Sequence, residues 1–284
     1  MVIYILHELT KFLKRHLTNI LQANEINNVF SSFDQIGEIV IIRIPDELSN
    51  RKKIIGEVLL DKIKKAKSIY RQSSVVKGDF RIRELELLAG IDTTETEYKE
   101  YGCRFNVDVR QVFFSPRLST ERNRISNLVK DGENIINMFG GIGMFSILIA
   151  KKKKCNIYNM DINPDAIRLC KKNLELNKIK GNVIPMCGDA SNLINELDET
   201  ADRTLMLLPE RTDNFLDSAV LGTKNNGIIH YYCHIHADKK NALERATKHY
   251  FNIIKIKSTV LHSNIVRAIG PKYYQIAIDA NIRK

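Results

Sequence analysis

The chain has little of what marks several protein classes. Cysteine is sparse: Cys103, Cys155, Cys170, Cys187 and Cys233 are odd in number, widely spaced and without a CxxC pair, so neither a disulfide framework nor a zinc cluster is indicated. No uninterrupted apolar run approaches the roughly 18 residues that a membrane span needs. The opening MVIYILHELTKFLKRH carries charges inside its apolar stretch and no small-residue cleavage site. Prolines and glycines are few, 6 and 14 in 284 residues, and 44% of the chain is hydrophobic against 27% charged. That is a globular composition, with enough chain for one large or two modest domains. The expectation is a soluble cytoplasmic protein with no membrane attachment and with buried or inert thiols.

Charge is abundant and of one sign. Forty-four Lys and Arg against 33 Asp and Glu leave a net +11, which favours an anionic partner, nucleic acid first. Lysines that merely solvate helix faces produce the same surplus, so charge alone leaves both readings standing.

Patterning divides the chain near residue 115. Before it, Ile5, Leu9, Phe12, Leu13, Leu17, Ile20 and Leu21 recur at helical spacing and predict a helix over residues 1 to about 30. Gly37 to Pro45 reads as a strand, Arg51 to Ile69 as a basic amphipathic helix, and Ser74 to Val76 as a strand. KGDFRIRELELLAG reads as a loop, and CRFNVDVRQVFFSPR as one strand running into a turn at Ser115 and Pro116. After it, LSTERNRISNLV is helical with Ser119 or Thr120 as N-cap. Strands and helices then alternate through NIINMFGGIGMFSILIA, CNIYNMDINPDAIRLCKKNLELN, VIPMCGDA, RTLMLLPE and GIIHYYC, and VRAIGPKYYQIAIDANIRK closes with antiparallel strands. Such alternation specifies a mostly parallel α/β sheet.

In such a sheet ligands bind where strands end and helices begin, and a Gly-rich turn lets backbone approach them. Gly140, Gly141 and Gly143 sit in one such turn. Asp161, about 20 residues on, is placed to accept ribose hydroxyls; Gly188-Asp189 and then Leu207-Leu208-Pro209 end the next strands. The turn lacks GxGxxG spacing and any basic residue for a pyrophosphate, which argues against a dinucleotide and for a nucleoside carrying little phosphate. S-adenosylmethionine fits best, with a dinucleotide fold or a sheet without ligand as the alternatives.

FRIRELELLAG, FSPRLSTERNRI, NMFGGIGMFSI, MDINPDAI, GDA and GIIHYY, in this order, resemble the archaeal and eukaryotic tRNA (guanine-37 N1)-methyltransferase family and its wybutosine-pathway relatives. The resemblance covers nearly everything from Ser32 onward. It implies a class I methyltransferase domain with a Rossmann-like sheet (residues 115–284), preceded by a small α/β domain that contacts tRNA (31–114). A reduced N-terminal helical segment (1–30) comes first. Glu121 matches the acid proposed to take the N1 proton of the target guanine, a task a carboxylate in hydrogen-bond reach can perform. An i,i+3 or i,i+4 surface pair with Arg124 or Arg117 is its structural alternative. Arg81 matches the arginine that steadies the purine oxygen. Asn137, Phe139, Gly140, Gly141, Gly143, Asp161, Ile162, Asn163, Asp189, Leu208 and Pro209 fall on the cofactor-binding positions. Arg83, Arg117, Arg122 and Leu207 fall on substrate positions, and the Lys151 to Lys154 run is a further candidate for phosphate contact.

Three departures stand out. Asn137 replaces the usual Asp, Met144 replaces a usual Pro, and Leu207 stands where the family has an Asn that contacts the base; leucine offers neither donor nor acceptor. The expected activity is therefore S-adenosylmethionine-dependent N1-methylation of guanosine at position 37 of a tRNA, by a monomer that needs no metal. The alternative keeps the fold but methylates a tricyclic guanosine derivative or transfers an aminocarboxypropyl group; a silent tRNA-binding protein is a third reading. His230, Tyr231 and Tyr232 are read as packing, and His234 with His236 as no metal pair.

Overall fold

The computed structural model describes residues 15–18, 20–22, 25–26, 33–74, 78–197 and 200–284. The chain divides into two compact units, the first comprising residues 1–99 and 106–116 and the second residues 100–105 and 117–284.

In the first unit, β1 (Phe33–Ile36) and β2 (Ile39–Ile42) form an antiparallel pair, and the α1 helix (Lys52–Lys62) crosses over to β3 (Ser68–Gln72), which runs parallel to β2. β4 (Leu85–Gly90) closes the sheet antiparallel to β3, in the order β1-β2-β3-β4. The four residues of β2 are all buried, as expected for an apolar β-branched run in a covered sheet. Val40, Ile42, Ile55, Leu59, Ile69 and Leu88 share one core with Leu17 and Leu21. Most of the helix expected over residues 1–30 lies outside the described residues; Arg15–Leu17 within it are helical.

Four expectations here are corrected. The α1 helix stops at Lys62, because Ile69 and Tyr70 are needed as fully buried strand residues opposite Val40 and Ile41. The strand therefore precedes Ser74, and residues 75 and 76 lie outside the described residues. Residues 85–90 are strand rather than loop: β4 is an edge strand with one covered face, so Glu86 interrupts the apolar pattern at no cost. The single strand expected from Cys103 ends early, at Asp108, and pairs with a strand before it that the sequence did not show. β5 (Glu95–Glu100) and β6 (Cys103–Asp108) form a two-stranded ribbon, and the Asp108 carboxylate accepts the Arg110 N–H at 2.9 Å, turning the chain out of the strand.

The second unit is built on a seven-stranded sheet ordered β12-β13-β11-β10-β7-β8-β9. Its parallel part comprises β7 (Asn134–Asn137), β8 (Asn156–Asp161), β9 (Asn182–Cys187), β10 (Ala201–Met206) and β11 (Thr223–His236). β13 (Tyr273–Arg283) inserts antiparallel between β11 and β12 (Lys257–Gly270). This is the expected α/β class with its antiparallel end. The α2 helix (Ser119–Leu128) follows a 3-10 turn at Pro116–Leu118, so Leu118 and not Ser119 or Thr120 occupies the cap position, and no side chain caps it. The α3 helix (Met144–Lys152) is buried from Met144 through Ala150, the mark of a helix covered on all sides. The α4 helix (Pro164–Glu175) is one-sided, burying Ala166, Ile167, Leu169, Cys170 and Asn173; Asn163 caps it and Pro164 pre-sets its first turn. The α5 (Ala190–Asn195), α6 (Leu216–Gly222) and α7 (Ala242–Ile253) helices complete the layers.

Four of the five cysteines are buried. Burial pushes the Cys170 and Cys233 thiols up to about 12 and Cys155 to about 11, so they are poor nucleophiles at neutral pH. No described helix is long and apolar enough to cross a membrane.

Gly56 marks a close helix-to-sheet approach in the first unit: a Cβ there would lie 2.5 Å from Leu88 Cβ. Gly56→Ala is expected to cost about 1–3 kcal/mol through overpacking despite its better helix propensity, read as a lower urea midpoint.

Candidate cofactor and base site

The strand order reverses at β7, whose neighbours β8 and β10 lead the chain outward in opposite directions. Ligand crevices in open α/β sheets form outside the carboxyl ends of strands at this switch. Asn137 ends β7 there, and residues 138–143 make the turn into α3.

Each glycine of the turn has its own reason. A Cβ at Gly140 would overlap the Asn159 carboxamide at 2.2 Å, and one at Gly143 (φ +86) would meet Cys170 Sγ at 2.7 Å. Both serve close packing of turn, strand and helix. Gly141 (φ +54) is different, because nothing lies nearer than Asp161 Oδ2 at 3.9 Å. Its bare face is open to a ligand.

Side chains lock this turn. Asp161, at the end of β8, accepts the Gly141 N–H on Oδ2 at 2.8 Å and the Asn163 N–H on Oδ1 at 2.9 Å. Asn163 in turn accepts the Asp165 N–H at 3.0 Å. Asn137 donates to Ser146 Oγ at 3.1 Å, Ser146 donates to Asn159 Oδ1 at 2.6 Å, and Asn159 donates to the Gly141 carbonyl at 3.3 Å. Asn137 Oδ1 is buried without a hydrogen-bond partner among the described residues, an arrangement costly unless a donor reaches it. An orphan acceptor, a bare glycine face and a carboxylate at the second strand end suit a nucleoside bearing an ammonium group.

The other expected cofactor residues surround this turn or end neighbouring strands. The Phe139 ring meets Phe215 edge-on at 5.0 Å between centroids. Ile162 is 42% exposed, an apolar side chain left in solvent beside Asp161. Asp189 caps α5 by accepting the Ser191 and Asn192 N–H groups. After β10, the Leu208 carbonyl accepts the Thr212 hydroxyl at 2.6 Å, shaping the turn that holds Pro209. Leu207 packs partly buried against the cluster of Ile125, Phe145 and Leu205.

Glu121 is only 4% exposed. Arg124 forks onto it, donating from Nη2 to Oε1 at 2.7 Å and from Nε to Oε2 at 2.9 Å, and the Tyr232 hydroxyl donates to Oε1 at 2.6 Å. The pair with Arg124 is thus present, but with its carboxylate buried and its guanidinium half-buried rather than on the open surface. Arg124 also donates from Nη1 to Asp279 Oδ2 at 2.5 Å and from Nη2 to Asp279 Oδ1 at 3.1 Å. Asp279 Oδ1 lies 2.7 Å from His230 Nδ1, and His230 Nε2 lies 3.3 Å from Arg203 Nη1. Arg203 is paired with Glu133 at 2.6 Å. Because a guanidinium only donates, His230 Nε2 is the acceptor and its proton sits on Nδ1, facing Asp279.

Burial opposes ionisation of Asp279, but hydrogen bonds from His230 and Arg124 outweigh it and hold its carboxyl well below the usual range. Burial likewise opposes the charge on Arg124, and its bonds to Glu121 and Asp279 make it more strongly basic than usual. Burial and then the Glu121 charge push the Tyr232 phenol well above its ordinary value, so it remains a donor.

Of the expected substrate arginines, Arg117 is exposed. Arg122 is not available at the surface: it is buried, with its guanidinium on Glu100 at 2.6 and 2.7 Å. Lys152 is also used internally, donating to Asn123, Ser126 and Asn127. In the first unit, Arg83 is buried and donates to the Phe114 carbonyl at 2.9 Å. Arg81 has φ 55, unusual for a side-chain-bearing residue, and its guanidinium lies 4.0 Å above the Phe113 ring.

Sequence reasoning missed Tyr232, His230, Asp279, Ser146 and Asn159. The signal for Asp279 is its place as the lone acid in the apolar run IAIDANI, since a buried charge needs a partner. The register supplies that partner directly, pairing Asp279 with His230.

Residues 96–261 match the TRM5/TYW2 methyltransferase domain, and residues 13–93 match the TYW2 N-terminal domain. The chain is 39% identical over 253 residues to the tRNA (guanine(37)-N(1))-methyltransferase Trm5b of Pyrococcus abyssi, covering 89% of this chain and 75% of that one. It is 34% identical over 269 residues to the tRNA 4-demethylwyosine(37)-methyltransferase Taw21 of Saccharolobus solfataricus, covering 92% and 98%. Among solved structures, a complex of aTrm5 with tRNALeu aligns with a TM-score of 0.82 at 38% identity, covering 94% of this chain and 76% of that one. The TYW2 of M. jannaschii in complex with AdoMet aligns at 0.63 with 25% identity, covering 89% and 100%. The chain belongs to the TRM5/TYW2 methyltransferase family.

Proposed function

We propose that this protein is an S-adenosylmethionine-dependent tRNA methyltransferase acting on N1 of guanosine at position 37. The observation that carries the chemistry is Glu121, a buried carboxylate hydrogen-bonded by Tyr232. The register sets Tyr231 level with Met206, the last residue of β10, so the adjacent Tyr232 lies at the carboxyl edge of the parallel strands. The relatives named above act at position 37.

S-adenosylmethionine supplies a methyl group on a sulfonium, an electrophile that requires a deprotonated ring nitrogen. Glu121 takes the N1 proton, which a guanine does not release unaided. Asp161, held by the Gly141 and Asn163 N–H groups, accepts the ribose hydroxyls. The Gly141 face admits the nucleoside, Ile162 offers an apolar surface to the purine, and Asn137 Oδ1 takes a donor from the amino acid part. For Asp189, the cap it makes on α5 supports an orienting role beside the adenine. Arg81 keeps the purine-oxygen role that the resemblance implies; its support is local, in the stacking on Phe113 that orients a planar fork. Arg117 is retained as a phosphate contact. Arg83 and Arg122, held by internal partners, are structural in this reading.

A second reading is favoured by two observations: the match of residues 13–93 to the TYW2 N-terminal domain, and Leu207, which brings no hydrogen-bonding group to the base. It assigns the same site to a tricyclic guanosine derivative, by methyl or aminocarboxypropyl transfer.

Incubation with S-adenosylmethionine and unmodified transcripts carrying guanosine at position 37, followed by nucleoside mass analysis, separates the readings. A gain of one methyl on guanosine is expected; product only from tRNA carrying the tricyclic intermediate would move the chain to the second reading, and the added mass would name the group. Glu121→Gln is expected to lower the single-turnover rate by about 10²-fold or more with tRNA affinity nearly intact; an unchanged rate would remove Glu121 from the mechanism. Asp161→Ala is expected to weaken S-adenosylhomocysteine binding by roughly ten- to hundredfold in calorimetric titration, as for loss of charged hydrogen bonds.

A further inference from the structure

A carboxylate gripped by a guanidinium is a poor place to put a proton. If Glu121 were paired with Arg124 alone, protonating it would leave a half-buried cation, its side chain 22% exposed, without a counter-ion, and a poorly solvated charge without a partner is unfavourable. The cluster around Glu121 avoids this by its composition. Arg124 is forked onto two carboxylates, with two hydrogen bonds to Glu121 and two to Asp279. Both acids are nearly inaccessible, with side-chain exposures of 4% and 6%. His230 presents Nε2 to Arg203 and Nδ1 to Asp279, the tautomer with its proton on Nδ1 matching both contacts. Arg203 is itself neutralised by Glu133. Among the described residues, the charged and titratable groups in hydrogen-bond contact with Glu121 and its partners include Arg124 from α2, Tyr232 and His230 from β11, Asp279 from β13 and Arg203 from β10, with Glu133 behind it. With Arg203 and Glu133 cancelling, Glu121, Arg124 and Asp279 together carry one negative charge in excess.

We infer that Asp279 is a positioning residue that acts as the standing counter-ion of Arg124, freeing Glu121 to accept the substrate proton, and that Tyr232 opposes it by holding Glu121 in its charged form. When Glu121 takes the proton, Arg124 keeps Asp279 and the cluster becomes neutral. His230 keeps Asp279 in place from the opposite side, across the directly paired positions of β11 and β13. The inference rests on the reading of Glu121 as the base, and it adds an opposition of sign that a merely structural cluster does not have. Removing the Asp279 charge makes proton uptake at Glu121 harder. Removing the Tyr232 hydroxyl makes it easier, because that hydroxyl donates to Glu121 at 2.6 Å.

The test is a titration of the full-length protein labelled with 13C at glutamate carboxyls, the Glu121 signal being identified by its loss in Glu121→Gln. Asp279→Asn is expected to move the Glu121 midpoint down by about one pH unit, and Tyr232→Phe to move it up, as for a lost neighbouring charge and a lost hydrogen bond to the ionised form. Asp279→Glu, which keeps the charge, is expected to restore most of the wild-type midpoint. Single-turnover methylation of the position-37 guanosine transcript should follow the same order, with the acidic limb of the pH–rate profile shifted down in Asp279→Asn and the plateau rate lower by roughly tenfold. Midpoints that move in the same direction in the two variants, or that stay fixed, would overturn the inference. If Asp279→Asn does not fold, the upward shift in Tyr232→Phe and the return in Asp279→Glu remain required. A wild-type protein that shows the opposed shifts but does not methylate guanosine would sink the proposed substrate and leave the charge arrangement standing.

Discussion

One guanidinium shared between two buried carboxylates holds the second unit together at the edge where chemistry is expected. Arg124 belongs to the same helix as Glu121, and its other carboxylate, Asp279, belongs to β13. Through His230 and Arg203 the chain of contacts continues across β11 and β10 to Glu133, just before β7. An isolated buried ion pair is weak evidence for stability, but breaking one that exists is costly. The helix that carries Glu121 is consequently fixed to the sheet by groups that cannot be removed singly, and Glu121 inherits that fixity.

The neighbouring turn is organised by neutral hydrogen bonds and by steric limits. Asn137, Ser146 and Asn159 form a relay that ends on the Gly141 carbonyl, while Asp161 takes the Gly141 N–H. Both polar groups of Gly141 are thus held from the β8 side, which leaves its other face open. Asn137 suits this relay, because a carboxamide can donate to Ser146 while leaving Oδ1 as an acceptor without a partner among the described residues. A carboxylate in the same place would accept only.

The first unit shows how edge strands escape pattern reading. β2 is apolar at every position and is evident in the sequence, whereas β4 carries glutamate and glycine and is visible only once β3 is in place to pair with it. The same holds for Arg81, whose stacking on Phe113 joins positions 32 residues apart. Arg83 and Arg122 look alike as loop and helix arginines in the sequence, and both turn out to be internal clamps.

By itself the sequence determined the α/β class, the alternation of strands and helices, the glycine turn with its acid 20 residues later, and the candidate base in SPRLSTER. The first three are local properties, carried by periodicity, turn chemistry and spacing along one strand-turn-helix unit; the candidate base rests on the family resemblance of its segment. Only the tertiary structure decided which partners those residues have. Asp279 is 155 residues from Arg124, and Tyr232 is 111 from Glu121; their meeting depends on β13 inserting beside β11 in one register, and no local pattern encodes a pairing across such separations. The partners available to Glu121 are therefore a property of the folded sheet, because the strand register decides which side chains are brought beside it.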